Sequence, residues 1–271
     1  MHEHLAFIGG GNMACAMISG LQAQGLSINK IDVVEPFAEA RERLKTDFGI
    51  AANTVAGDFL ERATIVIWAV KPQSFKEATQ PVQAFTANAL HLSVAAGIPS
   101  DSIAAWLGNA RIIRTMPNTP ALIGKGITGL FARPAVTPAD RQHAERIVKG
   151  MGQYLWLEQE GLLDAVTALS GSGPAYMFYF MEAMTAAGAE MGLTREQAYQ
   201  LAVATFIGAG ELARASHEPP EILRQRVTSK GGTTYAAITS MDNSHIKDLF
   251  AQALHAAHQR AREMGVEFGN A

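Results

Sequence analysis

The chain has 271 residues, of which 22 are basic and 25 acidic, for a net charge of −3. The charges are scattered without runs, so the sequence lacks the basic surface that binds nucleic acid or an anionic membrane, and a small-molecule partner is expected. A single cysteine, Cys15, cannot form an internal disulfide, and the N-terminal stretch MHEHLAFIGG does not resemble a signal peptide. No apolar stretch reaches the roughly 20 residues that cross a bilayer. We therefore expect a cytoplasmic protein without a membrane segment.

Short apolar segments alternate with helical patterns from the N-terminus to about Leu157. The segments are LAFIG, IDVVE, TIVIWAV, LHLSVA, RIIRT, TGLFA and QYLWL. Runs such as TIVIWAV are apolar without alternation, as in strands that helices cover on both faces. The pattern predicts a doubly wound α/β domain with a parallel sheet.

A glycine-rich turn joins the first strand to the first helix. It consists of Gly9, Gly10, Gly11, Asn12, Met13 and Ala14. The spacing is G-x-G-x-x-A: the first glycine permits the tight turn, the second admits a pyrophosphate, and the small third residue lets helix and strand pack closely. The helix N-terminus would then face the phosphates. Because this motif opens a βαβ pattern, it predicts a Rossmann-type dinucleotide site.

Glu35 ends the second strand, 24 residues after Gly11. An acid at this position can accept hydrogen bonds from the adenosine ribose and repel a 2′-phosphate, which favours NADH. However, Pro36 follows it and Arg41 and Arg43 lie on the next helix, so the carboxylate could instead turn outward as a helix-proximal charge. The choice between NADPH and NADH stays open.

The ends of the third, fourth and fifth strands supply further candidate cofactor contacts, because ligands of open α/β sheets gather outside the carboxyl ends of strands. They are Ala69, Val70, Lys71, Pro72, Ala95, Ala96, Gly97 and Asn118. Each has an ordinary alternative: a strand-ending turn at Lys71, tight packing at Gly97, and a rigid Pro-Asn turn at Asn118.

After about Gly161 the strand signals stop, and the pattern predicts an all-α second domain. The expected helices are Ala175 to Met191, Arg195 to Ala215, Pro220 to Val227, Thr234 to Met241 and His245 to Met264. The first is apolar nearly all round, which a small domain cannot bury alone. The predicted domains are residues 1–161 and 162–271, with the helices forming a homodimer or higher oligomer.

The loop VTSKGGTT, Val227 to Thr234, combines two glycines with four hydroxyls. Between two helices, its backbone amides could converge on an anion such as a carboxylate. The alternative is purely structural, with Gly231 and Gly232 as a C-cap and Thr233 or Thr234 as an N-cap.

Other polar residues are given ordinary roles. His245, His255 and His258 lie on the last helix without a cysteine or clustered acid nearby, so we predict a solvated face and no metal site. Glu158 and Glu160 are predicted to form a surface turn.

In this order and spacing, FIGGGNMA, AVKPQ, VAAG, MPNTPA, ALSGSGPAY and VTSKGGTT resemble the pyrroline-5-carboxylate reductase family nearly end to end. The resemblance implies a Rossmann domain that binds NADPH or NADH, an α-helical dimerisation domain, and reduction of L-1-pyrroline-5-carboxylate to L-proline. It implies that the candidate positions above contact the cofactor, with Asn118 close by. It also implies that Ser229, Gly232, Thr233 and Thr234 hold the substrate.

From the chemistry of this substrate we expect Ser229 and the Gly232 and Thr233 amides to bind the carboxylate, and Thr234 to hydrogen-bond the ring nitrogen as the catalytic residue. The sequence departs from the family at two positions. Lys230 stands where many members have proline, and Ala56 where many carry an asparagine that touches the adenosine ribose. Nearby Asn53 could replace that asparagine.

Two other functions are considered. A related hydroxyacid dehydrogenase or imine reductase would share the fold, but alcohol chemistry calls for a general base, and between Lys149 and Lys230 the chain has no lysine and only one histidine, His217. A regulator that binds NAD(P)H without turnover would need the glycine turn, but it gives no reason for TSKGGTT.

Overall fold

The computed structural model describes residues 3–269, in which all seven expected strands are present. They are β1 (Leu5–Ile8), β2 (Ile31–Val34), β3 (Ile65–Trp68), β4 (Leu90–Ser93), β5 (Ile112–Met116), β6 (Gly126–Ala132) and β7 (Gly152–Trp156). They form one sheet in the order β2-β1-β3-β4-β5-β6-β7.

The helices of the first half connect these strands, and those of the second half follow one another. They are α1 (Asn12–Ala23), α2 (Ala38–Phe48), α3 (Pro72–Thr79), α4 (Ser100–Leu107), α5 (Pro138–Lys149), α6 (Leu162–Val166), α7 (Gly173–Glu190), α8 (Arg195–Ala215), α9 (Pro220–Arg226), α10 (Thr233–Asn243) and α11 (Ile246–Gly269). The expected all-helical second half is confirmed, although α7 starts two residues earlier than predicted and α11 ends five residues later. No helix in the described part of the chain is long and apolar enough to cross a membrane.

The expectation of an entirely parallel sheet was wrong at β6. Strands β1 to β5 run parallel, but β6 is antiparallel to β5, with Ile113 opposite Ala132, and β7 is parallel to β6. The cause is the connection between β5 and β6, residues 117–125, which holds only a short 3₁₀-helix at Thr119–Ile123. Since a parallel crossover needs about a dozen residues or more, the chain turns back and the sheet is mixed.

Two compact units make up the chain. The described residues up to Ser172, together with those from Ala257 onward, form the first, and Gly173–Ala256 forms the second. The predicted domain boundary after residue 161 stays a prediction. The contact-based division falls eleven residues later and assigns the end of α11 to the first unit.

Both faces of the sheet are covered, as the unbroken apolar runs predict. Leu5 and Phe7 of β1 lie in one buried cluster, whereas Ala6 and Ile8 lie in the other. Neighbouring residues of a strand point to opposite faces, so β1, β2, β3 and β5 contribute to both cores, whereas β7 at the edge of the sheet is only partly buried. This two-sided burial fixes the strand ends, where the candidate site residues lie.

A buried histidine lies in the second of these clusters. His91 of β4 is 1% exposed, and its Nδ1 accepts a hydrogen bond of 3.0 Å from Trp68 Nε1. Trp68 in turn stacks on Phe75 at 5.0 Å between ring centroids. The pKa of His91 is lowered from 6.5 to about 4, chiefly by burial and to a smaller extent by the nearby Arg111, while a backbone hydrogen bond with Thr86 opposes the shift.

This lowered pKa makes the folded state sensitive to acid. A neutral histidine is favoured in the fold, so its contribution is complete above pH 6.5 and is lost as the pH falls towards 4. The loss amounts to about 3 kcal/mol. We expect His91→Gln, whose amide can still accept from Trp68, to flatten the dependence of unfolding free energy on pH in this window. The measurement is urea unfolding at several pH values; His255→Gln, at an exposed position, is the control, and equal slopes in wild type and His91→Gln would contradict the assignment.

The prediction that Glu158 and Glu160 form a simple surface turn was wrong for Glu160. Glu158 is exposed, but Glu160 accepts hydrogen bonds from Ser100 N and Oγ, each 2.6 Å, and from Arg114 Nη1 at 2.7 Å. Arg114 lies on β5 and is only 7% exposed. A buried guanidinium needs a carboxylate partner, and Glu160 supplies it from a turn 46 residues away.

In the second unit, α7 and α8 pack closely. A Cβ placed on Gly188 would lie 2.7 Å from Ala198 Cβ, so glycine is needed at this contact. Phe250 meets Tyr176 and Phe180 edge to face. Nevertheless, large apolar side chains remain exposed on both helices: Met177, Phe178, Tyr179, Met184, Tyr199, Leu201, Ile207 and Leu212. The single chain therefore leaves much of this helical surface uncovered.

Candidate functional site

The first unit gathers most of the predicted cofactor residues along one edge of the sheet. Because β1, β3, β4 and β5 are parallel, the segments that follow them all lie at their carboxyl ends. In the strand order, β1 is the point at which the chain changes direction across the sheet, with β2 on one side and β3 on the other. Ligands of doubly wound sheets bind at such a switch point. The glycine turn, after β1, lies there.

The three defining positions of the G-x-G-x-x-A motif, Gly9, Gly11 and Ala14, each have the geometry that a dinucleotide requires. Gly9 has a φ of +94°, and a Cβ there would lie 2.6 Å from Ala69 O. Ala14 is fully buried where α1 packs on the sheet. By contrast, a Cβ on Gly11 would meet nothing within 4 Å. Gly11 is also the N-cap residue of α1, without a side-chain cap. The turn thus offers open space directly over a helix N-terminus, which fits a pyrophosphate.

Glu35 faces inward, so the alternative of an outward carboxylate was wrong. The residue is 4% exposed. Its Oε2 accepts a hydrogen bond of 2.6 Å from Gly10 N, and its Oε1 accepts one of 2.8 Å from Phe37 N. The carboxylate therefore ties the glycine turn to the end of β2.

Two arginines of α2 border the turn, and the sequence-based site did not include them. Arg43 donates to Asn12 Oδ1 at 2.9 Å and to Gly10 O at 3.2 Å. Arg41 donates to Glu35 O at 3.0 Å and to Pro36 O at 2.6 Å. Of the other predicted residues of the turn, Met13 is half-buried and packs against the core. Motif spacing could not reveal the contacts of these arginines, because Arg43 lies 31 residues beyond Asn12 in the chain.

At the end of β3, the segment Ala69–Pro72 turns directly into α3. Ala69 N donates to Ile8 O at 2.8 Å, which joins this segment to the end of β1. Lys71 is exposed, and Pro72 begins α3. Val70 is half-buried and its side chain lies 3.1 Å from the Cβ position of Gly9. The segment is thus adjacent to the glycine turn, as a cofactor-binding role requires.

After β4, Ala95 is buried, Ala96 is half-buried, and Gly97 adopts a φ of +76°. A Cβ on Gly97 would lie 2.9 Å from Met264 Cβ, on the last part of α11. The packing alternative therefore accounts for glycine at this position. Ala95 and Ala96 remain the predicted cofactor contacts of this segment.

Asn118 uses its side-chain amide within the protein. Its Oδ1 accepts from Ile127 N at 3.0 Å, and its Nδ2 donates to Ser170 Oγ at 3.1 Å. Ser170 belongs to a π-helical turn, Thr167–Gly171, which includes the first two residues of the SGSGPAY segment, Ser170 to Tyr176. A Cβ on Gly171 would lie 2.4 Å from Met116 Cε, so the turn packs tightly beside the end of β5. Such π-turns are frequent at functional sites, and the sequence pattern gave no sign of this one.

Asn53 lies beside the expected ribose position. Its backbone bridges to Val34, and Asn53 O accepts from Glu35 N at 2.8 Å. The Asn53 side chain is exposed, whereas Ala56 packs against the core. Of these two residues, Asn53 therefore has the polar side chain at the end of β2.

In the second unit, the TSKGGTT loop leads into α10. Gly231 has a φ of +78°, and Gly232 is the N-cap residue of α10 without any side-chain cap. A Cβ on Gly232 would lie 2.7 Å from Ser229 Oγ. Neither Thr233 nor Thr234 caps the helix, so the structural alternative for these hydroxyls was wrong.

One detail of the expected carboxylate site also differs. Gly232 N donates to Ser229 O at 3.0 Å and thereby closes the turn. The first amides of a helix have no acceptor within it. The donors that the loop offers to an anion are thus the amides of Thr233 and Thr234, at the positive end of the helix dipole.

The described residues contain no group of three or more histidine, cysteine, aspartate or glutamate side chains that could hold a metal ion. His245 and His255 are exposed and His258 is half-buried, and His217 lies in the loop before α9. The VTSKGGTT loop itself contains hydroxyls and helix amides but no histidine.

Together, the cradle at the switch point and the helical second unit define a dinucleotide-binding oxidoreductase of the Rossmann type. Comparison with known proteins narrows the class. Residues 160–264 match a family model described as pyrroline-5-carboxylate reductase dimerisation, and residues 4–97 match one described as NADP oxidoreductase, coenzyme F420-dependent. The chain belongs to the pyrroline-5-carboxylate reductase family.

Individual relatives match nearly end to end. The pyrroline-5-carboxylate reductase of Pseudomonas aeruginosa is 44% identical over 267 residues, covering 98% of both chains. A solved pyrroline-5-carboxylate reductase of Coxiella burnetii is 37% identical with a TM-score of 0.90, covering 97% of this chain and 99% of that one. A pyrroline carboxylate reductase of Plasmodium falciparum, solved with NADP bound, is 25% identical with a TM-score of 0.86 over 97% of this chain and 98% of that one.

Proposed function

We propose that the chain reduces L-1-pyrroline-5-carboxylate to L-proline with NADPH or NADH. The observation that carries the proposal is the full-length identity of 44% to a reductase of that name. Two local features support it: the open cradle at Gly11 suits a dinucleotide, and the loop before α10 suits a small carboxylate.

The loop's own groups suggest how the substrate is held. The amides of Thr233 and Thr234 and the Ser229 hydroxyl bind the carboxylate, where the helix dipole adds roughly 0.3–1 kcal/mol. The Thr234 hydroxyl hydrogen-bonds the ring nitrogen. In the first unit, Gly9 to Ala14, Ala69 to Pro72, Ala95 and Ala96 hold the dinucleotide.

When bound, the reduced nicotinamide supplies a hydride to the imine carbon. The π electrons of the C=N bond move to nitrogen, which is already protonated in the reactive iminium form, so the product is a secondary amine. No strong base or metal is needed, and the protein's task is orientation. This agrees with a loop that has hydroxyls and amides but no histidine.

The direct test is to mix purified protein, NADPH and pyrroline-5-carboxylate and follow the loss of nicotinamide absorbance together with proline formation. One molecule of proline is expected to form for each molecule of NADPH that is oxidised. Cofactor binding without turnover would instead favour a nucleotide-binding regulator. NADPH-dependent reduction of a 2-oxo acid but not of the imine would favour a hydroxyacid dehydrogenase.

The match to a dimerisation model and the exposed apolar side chains of α7 and α8 support a homodimer. Burying these side chains against a second copy would stabilise the assembly at about 25 cal/mol per Å² of apolar area. Sedimentation as a monomer at micromolar concentration would contradict the dimer. We further propose a cytoplasmic location, consistent with the single cysteine; fractionation of cells tests it.

A further inference from the structure

Glu35 occupies the position at which an acid normally reads the adenosine ribose. At the end of the second strand of a Rossmann fold, an outward carboxylate accepts from the ribose hydroxyls and repels a 2′-phosphate. Here both carboxylate oxygens are already engaged, by Gly10 N at 2.6 Å and by Phe37 N at 2.8 Å. The residue is 4% exposed. Its charge is therefore stabilised by backbone donors inside the turn rather than presented to a ligand.

The inward carboxylate is held firmly by its surroundings. A Cβ on Gly10 would lie 2.5 Å from Leu44 Cδ1 and 3.3 Å from Glu35 Oε2, so a larger residue here would require both side chains to shift. Turning the side chain outward would break two charge-assisted hydrogen bonds and leave the buried Gly10 amide without an acceptor, which is costly. Glu35 thus has a structural role: its carboxylate links the glycine turn to the segment that follows β2.

The side chains that do border this edge of the site are cationic. Arg41 Nη1 donates to two backbone oxygens, Glu35 O at 3.0 Å and Pro36 O at 2.6 Å, which places its guanidinium on the loop that follows β2. Arg43 bonds the neutral oxygens of Asn12 and Gly10. Within residues 3–269, neither arginine forms an ion pair. Neither guanidinium therefore contacts a carboxylate among these residues.

We propose that Arg41 is a specificity-determining residue that selects NADPH over NADH by binding the 2′-phosphate, while Glu35 serves only to hold the glycine turn. A guanidinium near the end of the second strand is the usual partner of that phosphate, and its planar donors match phosphate oxygens in pairs. The proposal rests on the proposed function only in that the chain binds a nicotinamide dinucleotide.

The test measures dissociation constants of NADPH and NADH by calorimetry, without turnover. The wild type is expected to bind NADPH at least about tenfold more tightly, since one charge-assisted contact has this effect. Arg41→Gln should remove most of that advantage and leave NADH binding unchanged. Lys45→Gln, the same change of charge at an exposed position of α2, is the matched control and should keep the preference. Raising the ionic strength should weaken the binding of NADPH more than the binding of NADH.

The Glu35→Gln variant distinguishes a carboxylate that only holds the glycine turn from one that also binds the adenosine ribose. If the carboxylate only holds the turn, both cofactors should weaken by the same factor. Selective weakening of NADH by this variant, equal wild-type affinity for the two cofactors, or an equal loss of both in Arg41→Gln would each overturn the proposal. Failure to bind either cofactor would overturn the proposed function, and the inference with it.

Discussion

Gly11→Val is expected to abolish cofactor binding while leaving the protein folded. A Cβ on Gly11 meets no protein atom within 4 Å, and the backbone angles there, φ −71° and ψ −174°, are open to valine. The added side chain would instead fill the space over the N-terminus of α1, which the proposed site assigns to the pyrophosphate. Loss of two or three charge-assisted hydrogen bonds, each worth about 1.5 kcal/mol or more, weakens binding at least about a hundredfold.

The stability change should be small. Valine is a poorer helix N-cap residue than glycine, a difference of about 1 kcal/mol or less. Gly161→Val is the matched control, because a Cβ there also meets nothing within 4 Å and its φ of −60° suits valine. Titration of NADPH by fluorescence, together with thermal unfolding, separates the two effects. Near-normal NADPH binding by Gly11→Val would contradict the placement of the pyrophosphate.

Thr234→Ala should reduce turnover about tenfold to a hundredfold, because it removes the hydroxyl oxygen that accepts a hydrogen bond from the protonated ring nitrogen, and a hydrogen bond to a charged group is worth about 1.5–3 kcal/mol. We expect the cofactor dissociation constant to stay near the wild-type value, because the cofactor cradle lies in the other compact unit. The helix should also survive. Gly232, not Thr234, is the N-cap residue of α10, and alanine is a better helix former than threonine.

Two matched variants sharpen this test. Thr234→Ser keeps the hydroxyl and should retain most of the activity. Thr239→Ala, at an exposed position of the same helix, should leave turnover unchanged. Steady-state rates at saturating NADPH, with unfolding curves for each protein, are the measurements. A Thr234→Ala enzyme with the wild-type rate would remove this hydroxyl from the mechanism. Equal loss of rate and of stability would indicate a structural role instead.

Much of the fold followed from local patterns in the chain. The seven apolar segments became strands, because uninterrupted apolar runs of this length are stable only where both faces are covered. The glycine turn was predicted from spacing alone. The residue types at Gly9 and Ala14 are required by close contacts with neighbouring segments that every βαβ unit of this kind brings together. The helices from Gly173 onward followed from composition and periodicity, with errors confined mainly to their ends.

The orientation of polar side chains could not be obtained in this way. Whether Glu35 turned inward depended on the amides of Gly10 and Phe37, and Glu160 became an internal partner because Arg114 is buried on a distant strand. Asn118 bonds Ser170, 52 residues further along the chain. A polar group takes the direction in which its hydrogen bonds are satisfied, and that depends on residues that local spacing does not reveal.

The sequence by itself therefore determined the order and type of the secondary structure, the dinucleotide turn, and the loop that is proposed to bind the carboxylate. These features depend on periodicity and on neighbours a few residues apart. Only the tertiary structure decided that β6 reverses direction, that Gly97 packs against Met264, and that Glu35 bonds the glycine turn while Arg41 bonds the carbonyls that follow β2. Each of these outcomes was set by packing or hydrogen bonding rather than by an intrinsic preference of the residue, and several of them join residues that are distant in the chain.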